Sequence, residues 1–287
     1  MKLYFTSSKF KKFIPDWITV VVLIVVFFNV LETAPPFTRQ FSVSDSRIAH
    51  PFAIRERFTD NELYLWSLIV PSILISIVSL VHSPKVSTKD TSTASTTTTS
   101  STTSTTVTTT PSFFDKLHLL QVSNLGLWFS VVFAAVLTDI LKCWIGNPRP
   151  DFLSRCGPAP HTPPNKLVDI DVCTAPLGPM YLMDGMKSTP SGHSSMSFAG
   201  LLYLSLWLVG QFRVVHESRK LSLWLYLLFA TPILLACYIA LSRTQDYRHH
   251  FFDVGFGSLI GLVLACFSYF KYFNGVWNPQ CNLPIDY

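Results

Sequence analysis

The sequence predicts an all-α fold, a polytopic membrane bundle with six transmembrane helices. Three observations predict it. Apolar residues make up 49% of the 287-residue chain and charged residues only 14%, where a soluble domain carries roughly a quarter. Six stretches approach the roughly 20 apolar residues that cross the hydrocarbon core of a bilayer. No water reaches the backbone there, so each crossing segment must satisfy its own hydrogen bonds, as a helix does.

The first stretch runs from Phe13 to Leu31 and the second from Leu63 to Val81. The third runs from Leu119 to Leu141, the fourth from Ser195 to Phe212, the fifth from Leu221 to Leu241 and the sixth from Val254 to Phe273. The first reads as an uncleaved span, because Glu32-Thr33-Ala34-Pro35-Pro36 is a poor signal-peptide cleavage site. Between the second and third, residues 87–112 are almost all Ser and Thr. Such a stretch buries no apolar surface and is expected as a disordered loop, most simply a tolerated insertion. The whole chain, 1–287, reads as one integral-membrane domain.

Composition also excludes function classes. The net charge is +5 and the basic residues form no stripe, so no nucleic-acid partner is expected. None of the six cysteines sits in a C-x-x-C or His-rich pattern. P-loop, G-x-G-x-x-G and H-E-x-x-H motifs are missing.

Six spans put both termini on one side. Lys and Arg divide evenly between the two sides, so the simple positive-inside count is a tie. Setting aside Lys142, Arg149 and Arg243, which the chemistry below accounts for, tips the count towards cytoplasmic termini. The segments that follow then fall on the extracytoplasmic or luminal face.

Three segments at span ends carry chemistry. The first is Lys142-Cys143-Trp144-Ile145-Gly146-Asn147-Pro148-Arg149-Pro150. The two prolines end the helix, leaving Lys142 on its last turn and Arg149 in an extended turn, both able to reach one anion. A cationic interface anchor would look similar. The second is Thr189-Pro190-Ser191-Gly192-His193. Here Ser191 can cap a helix and Gly192 lets a ligand approach the backbone, so free N–H groups form an anion seat beside His193. A plain N-cap with a surface histidine is the alternative. The third runs from Ser242 to Asp253. His249 and Asp253 are four apart, so on a helix the carboxylate can hold one imidazole nitrogen and leave the other as nucleophile. Arg243 adds a planar fork for phosphate oxygens. The alternative is an interfacial salt-bridge cluster. Together the segments suit phosphoryl transfer without a metal, with cations and amides stabilising charge on the phosphate oxygens.

These residues resemble the three signature motifs of the type 2 phosphatidic acid phosphatase superfamily, which includes vanadium haloperoxidases. Lys142, Arg149 and Pro150 match K-x6-R-P; Pro190 to His193 match P-S-G-H; Ser242, Arg243, His249 and Asp253 match S-R-x5-H-x3-D. Further stretches are similar to fungal lipid phosphate and diacylglycerol pyrophosphate phosphatases: Arg149 to Phe152 through Arg155-Cys156, Gly185 to Ser188, and His50-Pro51-Phe52 with Arg55 to Thr59. The Ser/Thr tract lies outside the similarity. The resemblance implies a phosphatase core built at helix ends. In it His249 forms a phosphohistidine, Asp253 orients His249, and His193 protonates the leaving oxygen and then activates water. Lys142, Arg149, Ser191, Gly192 and Arg243 bind phosphate. It implies no divalent metal or other cofactor. The implied substrates are lipid phosphates in the bilayer: phosphatidate, lysophosphatidate and diacylglycerol pyrophosphate. Sphingoid-phosphate or polyprenyl-diphosphate phosphatase and lipid phosphotransferase are the alternatives. Association into a homo-oligomer stays open.

Cys156 and Cys173 share the long loop between the first two motifs. An extracytoplasmic loop permits a disulfide that closes about 16 intervening residues and contributes about 3 kcal/mol. Two free thiols are the alternative.

Overall fold

The structure, a computed structural model, describes residues 2–82, 86–89, 106–109, 112–215 and 222–286. Two short turns, α1 (Lys2–Phe5) and α2 (Ser8–Lys11), lead into α3 (Ile14–Val26), which continues through a wider π turn, Phe27–Leu31. The next helical stretch is α4 (Asp60–Tyr64), a π turn (Leu65–Ile69) and α5 (Val70–Val81). Thr59 and Glu62 close its start as a capping box. The π turn falls where Pro71 has no N–H to donate and its ring crowds the Ser67 carbonyl.

Helix α6 (Phe113–Ile145) is 33 residues long, about 50 Å at 1.5 Å per residue. It outruns the hydrocarbon core and ends at Gly146, whose φ of 57° is the left-handed conformation of a helix stop. Two short helices follow, α7 (Phe152–Cys156) and α8 (Pro179–Asp184). The bundle finishes with α9 (Gly192–Gln211), α10 (Leu223–Gln245) and α11 (Phe251–Tyr272).

Apart from a short ribbon and isolated bridges, the described elements are helical. In the ribbon β1 (Val86–Lys89) pairs antiparallel with β2 (Thr106–Thr109). These strands are the described ends of the Ser/Thr stretch; most of the expected disordered loop, 90–105 and 110–111, lies outside the described residues.

Among the described residues five helical stretches are long and apolar enough to cross a membrane: Ser8–Leu31, Asp60–Val81, Phe113–Ile145, Leu223–Gln245 and Phe251–Tyr272. The expected fourth span does form a helix, α9, but is not among the five. The reason is its composition, in which glycine, histidine, serine and glutamine lower the hydropathy. The helix packs against α6, α10 and α11, and Ser194, Ser195, Ser197, Ser205 and Gln211 are all buried there. Their polar groups are turned inward: Thr138 donates to Ser195 Oγ at 2.8 Å, and Ser130 to the Ala199 carbonyl at 3.0 Å. Small residues make the approach close. A Cβ on Gly257 or Gly261 would run into the Ser191 or Ser195 carbonyl, so α11 lies directly on the first turns of α9.

A layer of loops covers the end of the bundle where α6 and α10 finish and α9 and α11 begin. It has its own small core of Phe41, Ile48, Phe152, Cys156, Leu182 and Met186. A disulfide joins Cys156 to Cys173 across a separation of 17 residues. Of the two thiol states left open by the sequence, the paired one is present.

Candidate active site

The three segments are stitched together by their backbones. Ser188 N–H donates to the Asn147 carbonyl at 3.0 Å, and Arg149 N–H to the Gly185 carbonyl at 2.8 Å. Ser191 N–H donates to the Asp253 carbonyl at 3.0 Å. Lys142, on the last turn of α6, lies against Gly192; a Cβ at that glycine would stand 3.2 Å from Nζ. Ser191 caps α9, its Oγ accepting from Ser194 N–H at 3.4 Å. The amides of Gly192 and His193 therefore stand at an open helix start, where no preceding turn supplies acceptors.

His249 is buried. Its Nδ1 lies 2.7 Å from the Ser188 carbonyl. A carbonyl can only accept, so Nδ1 carries the proton and Nε2 keeps its lone pair. Burial, followed by the positive fields of Arg149, Lys142 and His193, holds the imidazole pKa well below its ordinary value. The neutral ring is thereby favoured, with the Nε2 lone pair unprotonated. His193, on the first turn of α9, sets Nε2 3.1 Å from the Phe58 carbonyl.

Asp253 corrects the sequence expectation of direct contact. Its Oδ2 is 3.9 Å from His249 Nδ1, beyond a hydrogen bond. Helical i, i+4 spacing does not apply, because α11 begins at Phe251 and His249 lies in the preceding turn. Asp253 instead accepts from Ser188 Oγ at 2.6 Å, from Thr189 Oγ1, and from His250 N–H at 2.8 Å. It holds the segment whose Ser188 carbonyl in turn holds His249. His250 caps α11 with Nδ1 3.2 Å from Asp253 and Nε2 3.3 Å from the Arg47 carbonyl. The hydrogen bond to Asp253 raises its pKa.

Each phosphate-directed cation already has a carboxylate. Lys142 Nζ is 3.6 Å from Asp139. Arg149 donates to Asp184 at 2.7 Å. Burial alone would raise the Asp184 carboxyl, but Arg149 and Arg155 outweigh it and hold the pKa at about 2. Arg243 donates to Glu56 at 2.7 Å and to Asp246 at 2.8 Å. Its fork is therefore partly occupied. Arg155 and Arg248 extend the network through Asp151, Asp184 and Glu56. Among the described residues no group of three or more His, Cys, Asp or Glu side chains could hold a metal ion.

All eight sequence-predicted residues thus gather at one end of the bundle. Sequence reasoning missed Glu56, Asp139, Asp184, Asp246 and the Ser188 carbonyl. Asp139 and Asp246 carried a local signal, each three residues from its cation along a helix end, and Glu56 and Ser188 lay inside stretches similar to fungal phosphatases.

Comparison with known proteins places the chain in a family. Residues 124–277 match the model of the PAP2 superfamily. Diacylglycerol pyrophosphate phosphatase 1 of Saccharomyces cerevisiae is 40% identical over 257 residues, covering 87% of this chain and 76% of the relative. Probable diacylglycerol pyrophosphate phosphatase 1 of Schizosaccharomyces pombe is 32% identical, covering 90% of this chain and 80% of the relative. Lipid phosphate phosphatase 1 of Arabidopsis thaliana is 31% identical, covering 95% and 72% respectively. No solved structure matches the chain.

Proposed function

The chain belongs to the PAP2 superfamily, and from that premise we propose that it is a membrane phosphatase acting on lipid phosphates: phosphatidate, lysophosphatidate and diacylglycerol pyrophosphate. The observation that carries the chemistry is the His249 tautomer. Its proton is committed to the Ser188 carbonyl, so Nε2 is free among the cations Lys142, Arg149 and Arg243.

The reaction runs in two displacements. His249 Nε2 attacks phosphorus, a P–N bond forms, and the P–O bond to the lipid breaks. His193, protonated on Nδ1 while its Nε2–H stays with the Phe58 carbonyl, gives the Nδ1 proton to the leaving oxygen. Water, losing a proton to His193, then attacks phosphorus, breaks the P–N bond and frees inorganic phosphate. Lys142, Arg149, Arg243, the Ser191 hydroxyl and the Gly192 amide stabilise charge on the phosphoryl oxygens. These groups fill the role a metal has elsewhere, so the reaction needs none. Asp253 acts through the Ser188–Thr189 segment.

Helix α9 is the sixth span, packed against α6, α10, α11 and the α4–α5 stretch. The termini are then cytoplasmic and the site faces outward or into a lumen. The Cys156–Cys173 disulfide supports that orientation, since such bonds persist in oxidising compartments.

The test is a substrate panel with chelator in excess: phosphatidate, lysophosphatidate, diacylglycerol pyrophosphate, a sphingoid phosphate and dolichyl diphosphate. Phosphate release from the first three is expected. Activity only after metal is restored would overturn the mechanism, and exclusive use of one of the last two would overturn the substrate class.

A pH profile checks the state of His249. A lowered pKa means the charged ring is disfavoured, so the free base persists as pH falls. The acid limb of kcat/KM is expected below the ordinary imidazole value of about 6.5. An acid limb above that value would contradict a neutral nucleophile.

A further inference from the structure

The family match begins at residue 124, yet a segment far upstream of it touches all three chemical segments. The chain from Arg47 to Asp60 links the first two candidate spans. His50 N–H donates to the Pro150 carbonyl at 2.9 Å, and the Arg47 carbonyl faces His250 at 3.3 Å. The His50 ring stacks on Tyr247 with centroids 4.4 Å apart. Arg57 N–H donates to Asp246 at 2.8 Å, and the Phe58 carbonyl faces His193 at 3.1 Å. Phe52 lies beneath two guanidinium groups, Arg155 at 5.0 Å and Arg248 at 4.5 Å.

Glu56 is the carboxylate of this roof that meets two guanidinium groups. One of its oxygens accepts from Arg243 Nη1 and the other lies against Arg248 Nη2, both at 2.7 Å. Arg243 keeps a second partner at equal quality, Asp246. Arg248 does not: its other carboxylate, Asp151, is 3.6 Å away and also serves Arg155 through two hydrogen bonds of 2.9 Å. Arg248 is buried, directly before His249, and its Nε has no partner. Glu56 is therefore the main neutralising group of that guanidinium.

We infer that residues 47–60 form a fourth part of the active site, with Glu56 as a positioning residue that sets both the pose of Arg243 and the charge of the phosphate seat. The inference rests on phosphoryl transfer at this site. Two effects follow from one carboxylate. It competes with phosphate for Arg243, keeping ground-state affinity low enough for product to leave. It also pins Arg243 in plane for the transition state, where the contact matters most.

The test is Glu56→Gln in the full-length protein in detergent micelles, with inorganic phosphate as competitive inhibitor. The amide keeps the size of the side chain but loses its charge and can accept from only one guanidinium at a time. The inhibition constant for phosphate is expected to fall about three- to tenfold, because the seat gains net positive charge, while kcat falls about tenfold or more. A merely structural role lowers the active fraction and leaves the inhibition constant unchanged. Glu56→Asp keeps the charge; it is expected to hold the wild-type inhibition constant with a smaller loss of kcat, and it carries the test if the glutamine variant does not fold. An unchanged or weaker phosphate inhibition constant in Glu56→Gln overturns the inference, as does a wild-type kcat. If the wild type itself releases no phosphate from any lipid of the panel, the phosphatase reading fails first, independently of Glu56.

Discussion

Replacing His249 with alanine is expected to abolish phosphate release from phosphatidate, lowering kcat by at least about 10⁴-fold. The size follows from the role. In the proposed reaction the imidazole supplies the atom that bonds to phosphorus, while the neighbouring groups bind, polarise or move protons. His193 is not expected to substitute, since in the proposed reaction it carries the proton for the leaving oxygen on Nδ1 as well as the Nε2–H held by the Phe58 carbonyl, and so has no lone pair to offer. Removing the ring also leaves the Ser188 carbonyl without its donor inside a buried site, so an unfolding midpoint in detergent must accompany the assay. A second readout is the intermediate: wild type quenched during turnover should carry a phosphoryl group that survives base and is lost in acid, and the variant should carry none. Turnover like wild type in His249→Ala would end the proposal of a histidine nucleophile.

The next largest effect is expected for Asp253→Asn, a loss of about 10²- to 10³-fold in kcat with KM little changed. The carboxylate collects four donors: Ser188 Oγ, Thr189 Oγ1, the His250 amide and the His250 ring. Asparagine offers one accepting oxygen and turns an amide N–H₂ towards the remaining donors. The Ser188–Thr189 segment then shifts, and the carbonyl that fixes the His249 tautomer shifts with it. The loss is smaller than for the nucleophile because Nε2 remains present and is only misdirected. The same variant also removes the partner that raises the His250 pKa, so His250 should titrate nearer its ordinary value. A normal rate would take Asp253 out of the catalytic set.

Sequence patterns reach unequally far into this molecule. The five apolar stretches were legible because lipid-facing helices cannot hide their surface, and their limits are right to within a few residues at most ends. Helix α6 is the exception: its first turns, Phe113 to His118, are amphipathic or buried and carry no long apolar run. The eight candidate residues stand out in the sequence because each is a chemical type placed beside a helix end. Their partners do not. Glu56 meets Arg243 across a sequence separation of 187 residues, and nothing in the local spacing of either announces the other. Asp253 shows the opposite failure. Its four-residue distance from His249 suggested a shared helix face, but the helix starts two residues after His249. Where a helix begins is the least legible feature of a chain, and here the geometry of the candidate nucleophile depends on it.

Helix α9 has a consequence for how the protein is made. A translocon tests each segment one at a time against lipid, and Gly192–Gln211 opens with glycine, histidine and serines that lipid rejects. The polarity disappears only after α6, α10 and α11 have closed round it. If α9 is the proposed sixth span, it is expected to enter the bilayer in company, drawn in by the greasier α10 that follows it or sheltered by α6 already in place. Residues that look like substrate chemistry in the finished protein are, during synthesis, the ones that make this helix wait for its neighbours.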